Sequence, residues 1–448
     1  MTNNKNQSPF YSQLVQQLLP ALTVSFVAIS LGAAFGVLSG RGALAGILSA
    51  GVIALITAAV GGTRIQCSGP TAPMTAVTIL LVSAVGGGLL ADHPDVDPDR
   101  FINLVLLLTG AMLIVASLLR LGRFIKLIPK IVISGFMNGI ALLIWVGEFR
   151  SIFGIGGKTA YLGNVFVNLA IVLLTLSVIF TLPLLLRKVS DRLNSFFPAT
   201  LIAIVVVSTL SNLFGLDVQH VSLGGSIESL TDIKGMIVGQ LPTEWSLALL
   251  ILAAPFVVQL AMLAYLDTLL TSLVVDRKVE IMHGRQDPTK PNQELCAQGI
   301  ANAAVSVFGG IPGAQATIRS VLILNEGATM RLAGVLVGIF VLIEMLMFQD
   351  LISLIPQAVF SGVLLKVGYD VFDWMPVRQY ISQLLQPSPA QLPPIGHSGM
   401  ALIAGTALLT VLVNLSVAVI VFTIIFYLAR KFGGIKDIKT ESAMHDEG

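Results

Sequence analysis

The chain has 448 residues, with 26 Lys+Arg against 24 Asp+Glu, so only 11% are charged; a soluble domain carries roughly 25%. With 55% hydrophobic residues and a mean hydropathy of +0.88 it cannot coat a globule with charge. That excludes a cytosolic enzyme, a nucleic-acid binder and a disordered chain. The apolar residues come in long runs rather than alternating, which also excludes an outer-membrane barrel. The composition predicts an all-α polytopic membrane protein, because lipid-exposed backbone must satisfy its own hydrogen bonds. Cys67 and Cys296 make no disulfide framework. Met1 to Gln17 is polar with one charge, Lys5, and reads as no cleavable signal.

In chain order, apolar segments near 19–39, 43–60, 70–90, 101–119, 130–147, 163–186 and 197–214 are expected to span the membrane. Seven more follow near 246–275, 295–308, 316–326, 330–349, 353–372, 398–413 and 414–430. With the N-terminus in the cytoplasm, basic residues crowd the inner gaps: Arg120, Arg123, Lys126 and Lys130, then Arg187, Lys188 and Arg192, then Arg277, Lys278, Arg285 and Lys290. The opposite face receives Arg41, Arg100, Arg150, Lys158 and Lys234, with the acidic loop Asp92 to Asp99. This bias predicts cytoplasmic N- and C-termini in the inner membrane.

The chain also repeats itself. Leu127-Ile-Pro-Lys-Ile-Val-Ile-Ser-Gly135 returns as Leu354-Ile-Pro-Gln-Ala-Val-Phe-Ser-Gly362, with six of nine positions identical. Gly51 with Gly61-Gly62 returns as Gly299 with Gly309-Gly310. Two matches in the same order predict 14 transmembrane segments as a 7+7 inverted repeat. An odd number per half makes the halves insert with opposite orientation, as in secondary transporters.

Each repeat contains a segment broken by Gly and Pro: Gly61 to Thr75, and Gly309 to Ser320. Pro70 and Pro73 cannot continue a helix but suit its first turn. Residues 66–69 are therefore expected extended before a helix start near Pro70, and Pro312-Gly313 should act likewise before Thr317. Two half-helices starting at mid-membrane offer free N–H groups and positive dipole ends, an anion site. Ser68, Thr71, Ala72, Gln315, Ala316, Thr317 and Ile318 are the candidate anion contacts. Arg319, in the first turn of the second half-helix, either attracts the anion or neutralises a carboxylate. That carboxylate is Asp267, twelve residues into its span from Pro255, with Thr271 one turn later on the same face. Asp267 suggests a cation partner, Na⁺ or H⁺. Lys366 is expected to snorkel, and Glu344, six residues before Asp350, to reach the interface. The histidines avoid the spans, so a histidine relay or metal site is not expected, and no phosphate-binding P-loop appears.

At these residues the sequence resembles the sulfate permease (SulP) family of anion transporters. The motifs are Ser68-Gly-Pro-Thr-Ala-Pro-Met-Thr75, Leu127 to Gly139, and Asn292-Gln-Glu-Leu-Cys-Ala-Gln-Gly-Ile-Ala-Asn302 followed by Phe308-Gly-Gly310. Leu266 to Ser272 and Lys366 to Trp374 are most similar to the cyanobacterial sodium-dependent bicarbonate permeases. The resemblance implies a core domain, 19–126 with 246–349, moving against a gate domain, 127–214 with 350–430, in a homodimer. Residues 431–448 would be a cytoplasmic tail, without the STAS domain that the family carries. It implies sodium binding at Asp267, Thr271 and Thr317, with Thr71 beside the sites. Two positions depart from that branch, which has glutamate where Ser68 stands and glycine where Arg319 stands; sulfate-type members carry arginine there. The expected function is secondary active transport of a small inorganic anion, bicarbonate with sodium symport. The alternatives are a proton-coupled sulfate or other anion transporter, or an uncoupled anion channel. No enzyme activity, cofactor or nucleic-acid partner is expected.

Overall fold

A computed structural model describes residues 10–127, 129–155, 161–189, 199–221, 238–243, 245–283, 287–385, 396–413 and 415–433. Lys5, Lys158, Arg192, Lys234, Arg285 and the tail beyond 433 lie outside the described residues.

The helices of the first half are α1 (Phe10–Ser39), α2 (Ala43–Val60), α3 (Ala72–Ala84), α4 (Pro98–Leu118), α5 (Lys130–Phe153), α6 (Val165–Val189) and α7 (Ala199–Leu213). Those of the second half are α8 (Leu247–His283), α9 (Pro291–Val307), α10 (Thr317–Asn325), α11 (Arg331–Ser353), α12 (Gln357–Val371), α13 (Trp374–Leu385), α14 (His397–Leu412) and α15 (Leu415–Gly433). Every expected segment falls on one of them. Among the described residues, seven helices are long and apolar enough to cross a membrane by length and composition. One helix was not anticipated: α13 carries Arg378, Gln379 and Gln383 among its apolar residues, a pattern too polar to register as a span. Segment 70–90 is also less regular than expected, because α3 passes at Val85–Leu89 into a π turn in which Gly88 takes a φ of 96°.

The chain packs as two compact units, Met1–Arg123 with Ser151–Val363, and Phe124–Arg150 with Leu364–Gly448. The larger one takes in α6, α7 and the start of α12 beside the expected core segments. Its helices meet through small residues, as membrane helices do. The packing also carries the repeat. A Cβ on Gly299 of α9 would lie 2.6 Å from the Gly110 oxygen of α4 and 2.7 Å from Ile114. A Cβ on its repeat mate Gly51 of α2 would lie 2.7 Å from Leu342 of α11 and 3.3 Å from the Gly338 oxygen. The same contact therefore recurs, α2 on α11 mirroring α9 on α4. The repeated Ser-Gly motif behaves alike. Gly362 packs on Thr175 of α6 in the larger unit, and Gly135 packs on Thr406 of α14 in the smaller one. The fold is an all-α inverted repeat.

In the smaller unit, Trp145 stacks on Phe372 at 5.7 Å and donates to the Leu365 carbonyl at 3.0 Å. Lys366 bonds Asp370 one turn on, at 2.6 Å, so its charge is balanced locally.

Candidate functional site

Both breaks form as the prolines dictate, the first helix starting at Ala72, two residues after Pro70, and the second at Thr317 as expected. Ser68–Pro70 is strand β1 and Gly313–Gln315 is strand β2. They pair antiparallel, Ser68 with Gln315, Gly69 with Ala314 and Pro70 with Gly313. Among the described residues neither strand pairs with another, and all six strand residues are buried, so this two-strand crossover is backbone held by protein. Gly69 takes a φ of +153°, and a Cβ there would meet the Arg319 guanidinium at 2.7 Å. A Cβ on Gly313 would lie 2.3 Å from the Gly69 oxygen. Only glycine allows this approach.

The half-helices α3 and α10 leave the ladder from opposite ends, behind N-caps Thr71 and Ala316, and neither start has a side-chain cap. Their first N–H groups are the open donors an anion requires. The face of α8 that carries Asp267, Thr268 and Thr271 runs along both starts. Asp267 lies beside the Thr71 hydroxyl and within electrostatic range of Arg319. Thr268 accepts from the Gln315 N–H at 3.3 Å. Thr271 shares a 2.6 Å hydrogen bond with the exposed Thr317.

Arg319 is turned inward, 1% exposed, and its Nη2 donates to the Pro70 carbonyl at 2.8 Å. Its Nε and Nη1 are buried without a hydrogen-bond partner, and so is Asp267 Oδ2. Among the described residues no ion pair within 4.0 Å joins Arg319 to Asp267. The two side chains thus present one open cationic and one open anionic group beside the helix starts. Asp267, Thr271 and Thr317 are hard oxygen donors, the kind that suits Na⁺.

The structure thus brings Thr71, Ala72, Ala316, Thr317, Ile318, Arg319, Asp267 and Thr271 to the helix starts. Ser68 and Gln315 are fully buried and turn to other partners. The Ser68 hydroxyl donates to Gln66 Oε1 at 3.0 Å and accepts from Gln298 Nε2 at 2.8 Å. Gln315 Oε1 accepts from the Thr63 hydroxyl at 3.4 Å.

Behind them lies a centre that the sequence reading left out. Glu294 of α9, fully buried, accepts from the Thr63 N–H at 2.8 Å, Gln66 Nε2 at 2.9 Å and Gln298 Nε2 at 3.1 Å. With Ser68 these side chains close a ring, Glu294–Gln298–Ser68–Gln66–Glu294. Two turns along α9 from Glu294, Asn302 clamps Gly313, donating to its carbonyl at 2.9 Å and accepting from its N–H at 2.9 Å. Glu294, Gln298 and Asn302 fall at i, i+4 and i+8, a polar stripe in an apolar span. That spacing was the available signal.

Comparison with known proteins agrees with this geometry. Residues 14–384 match the family model described as the sulfate permease family. The bicarbonate transporter BicA of Picosynechococcus is 30% identical over 89% of this chain and 67% of its own length. The putative sulfate transporter YvdB of Bacillus subtilis is 26% identical over 93% of this chain and 74% of its own. The chain spans 62% of the length of a second bicarbonate transporter BicA, from Synechocystis, at 30% identity. The transmembrane domain of a cyanobacterial BicA superposes with a TM-score of 0.73 at 28% identity, covering 92% of this chain and 98% of that one. The murine solute carrier 26 member A9 anion transporter, in its inward-facing state, shares the fold at a TM-score of 0.67 and 17% identity, over 96% of this chain and 73% of that one. An inverted repeat of apolar helices, two half-helix starts at a buried crossover, and a family match over most of the chain lead to one conclusion: this chain is an integral membrane transport protein that belongs to the sulfate permease family.

Proposed function

We propose that the protein moves a small inorganic anion, bicarbonate first and sulfate second, across the inner membrane, with both termini cytoplasmic. The observation that carries this reading is Arg319: buried, held on Pro70, with Nε and Nη1 unpartnered beside two uncapped helix starts. Each of these N–H groups can give an oxyanion a charge-assisted hydrogen bond. The open N–H groups of α3 and α10 supply the rest. Residues 19–126 and 246–349 act as the core that carries the site. Residues 127–214 and 350–430 act as the gate, and the working unit is a homodimer.

Arg319 also bears on coupling. A Na⁺ at Asp267 would face the guanidinium, and two like charges at about 4 Å cost about 4 kcal/mol at an effective dielectric near 20. The inward arginine therefore favours transport without sodium, the arginine serving as a fixed positive charge. Sodium symport is the second reading. It is supported by the unpartnered Asp267 Oδ2 and by the meeting of Thr271 with Thr317.

Proteoliposome uptake of labelled bicarbonate and sulfate, with Na⁺ and H⁺ gradients imposed separately, tests both. The expected result is saturable bicarbonate uptake without sodium stimulation, and sodium stimulation appearing in Arg319→Gly. Sodium-stimulated wild-type uptake that is lost in Asp267→Asn and kept in Arg319→Gly selects symport. Flux that follows only the anion gradient, unsaturated and indifferent to both cations, selects a channel.

A further inference from the structure

Glu344 is not used by the anion site, and its surroundings are unusual for a carboxyl group. It sits on α11, a helix expected to cross the membrane, and is 6% exposed, its side chain turned into the protein. The reason is packing: α11 lies against α1 and α2, and Glu344 points at Ser25 of α1, with Oε1 at 2.8 Å from the hydroxyl. Its Oε2 is buried with no partner.

No charge lies close by on these elements. α2 contains no Asp, Glu, Lys, Arg or His. α1 contains none either, and its one titratable residue, Tyr11, lies fourteen positions before Ser25, roughly 20 Å along the helix. On α11 itself Arg331 is thirteen residues away and donates to the Ala58 and Gly61 carbonyls, while Asp350 is six residues away and exposed.

The hydroxyl favours one assignment of the donor. Ser25 Oγ lies 2.8 Å from the Leu22 carbonyl as well as 2.8 Å from Glu344 Oε1. A serine has one proton and two lone pairs. An ionised Glu344 and the Leu22 carbonyl would both be acceptors competing for that proton. A neutral acid resolves this: Glu344 donates to Ser25, and Ser25 donates to Leu22. Burial without a countercharge favours the same state.

We propose that Glu344 is a proton-binding site separate from the Asp267–Arg319 centre, occupied in the folded protein and clasping α11 to α1 through Ser25. Ten residues before Glu344, Gly334 of α11 lies against the chain leading into β1, where an added Cβ would be 2.4 Å from the Gln66 oxygen. Loss of the proton places an unpaired charge in the α1–α11 seam and loosens it. This stands whichever anion is carried.

Infrared difference spectroscopy of the purified full chain, titrated from acid to alkaline pH, provides the test, with thermal unfolding over the same range. The wild type is expected to keep a protonated-carboxyl band above the ordinary carboxylate range that disappears in Glu344→Gln and changes frequency in Ser25→Ala. The folded state then holds a proton that the unfolded state releases, so wild-type stability falls as pH rises from the ordinary carboxylate range to the pH at which Glu344 titrates in the folded protein, and levels off above it. Glu344→Gln, which mimics the neutral acid, loses that decline. A band that persists in Glu344→Gln, or a decline of the same size over that range in both proteins, overturns the proposal. If Glu344→Gln does not fold, an unchanged band in Ser25→Ala overturns it on its own.

Discussion

Among single residues, Thr317 and Glu294 show how the same polarity serves two purposes. Thr317 is exposed and offers its hydroxyl, with Thr271, at the start of α10. Thr317→Val is expected to leave folding intact and to raise the KM for the anion about fivefold, the worth of a single hydrogen bond near 1 kcal/mol; initial-rate uptake measures it. Glu294 reaches no opening and accepts three hydrogen bonds inside the protein. Glu294→Gln turns one acceptor into a donor that faces donors. The expected loss is about 3 kcal/mol of stability, read as a lower unfolding temperature in detergent. Ser68 belongs with Glu294. Its proton goes to Gln66 Oε1, so Ser68→Ala is expected to lower stability more than it changes anion affinity.

Between elements, backbone proximity decides. The α4–α9 contact puts the Gly110 and Gly299 backbones so close that a Cβ on Gly110 would lie 2.5 Å from the Gly299 oxygen. Gly299→Leu is expected to abolish folded, monodisperse protein on size-exclusion chromatography. Gly86→Leu, whose Cβ would meet nothing within 4 Å, is expected to leave it unchanged. The crossover has its own support. Asn302→Ala strips both hydrogen bonds from Gly313 and leaves a buried N–H and C=O unpaired. About 3 kcal/mol of stability is expected to go with them, and anion affinity with the alignment of β2.

For the whole molecule, the charge distribution sets the expected orientation. Arg41, joined to Asp99 at 2.8 Å and to Asn103 at 2.7 Å, marks one end of the larger unit. Burial lowers the Arg41 pKa, against the raising effect of Asp99 and Asp97. Arg64, joined to Asp287 at 3.3 Å, lies at the end for which the basic loops predict a cytoplasmic location. In a background with Cys67 and Cys296 replaced by serine, a membrane-impermeant maleimide is expected to label Asp92→Cys from outside. It is expected to reach Asp287→Cys only in inverted vesicles. The reverse pattern would invert the assigned topology.

The class of protein, its apolar helical segments, the two breaks and the duplication were determined by the sequence alone, whereas the polar helix α13 and the π turn after α3 were not. Apolar run length, proline position and repeated glycines are local signals, each carrying its physical cause within a few residues. Even Gly51 and Gly299, recognised only as a repeated pair, turn out to make matching contacts. The tertiary structure alone decided which polar groups meet. Ser68 and Gln298 bond across 230 residues, and Ser25 and Glu344 across 319. No periodicity links positions so far apart. A hydroxyl beside a half-helix start can face an anion or turn away into the core, with the same local sequence. Arg319 shows the same limit: its place in the first turn of α10 was legible, but the inward turn onto Pro70 depends on Gly69 leaving room in another repeat. Hydrogen-bond partners are chosen by packing, and packing is a property of the folded chain.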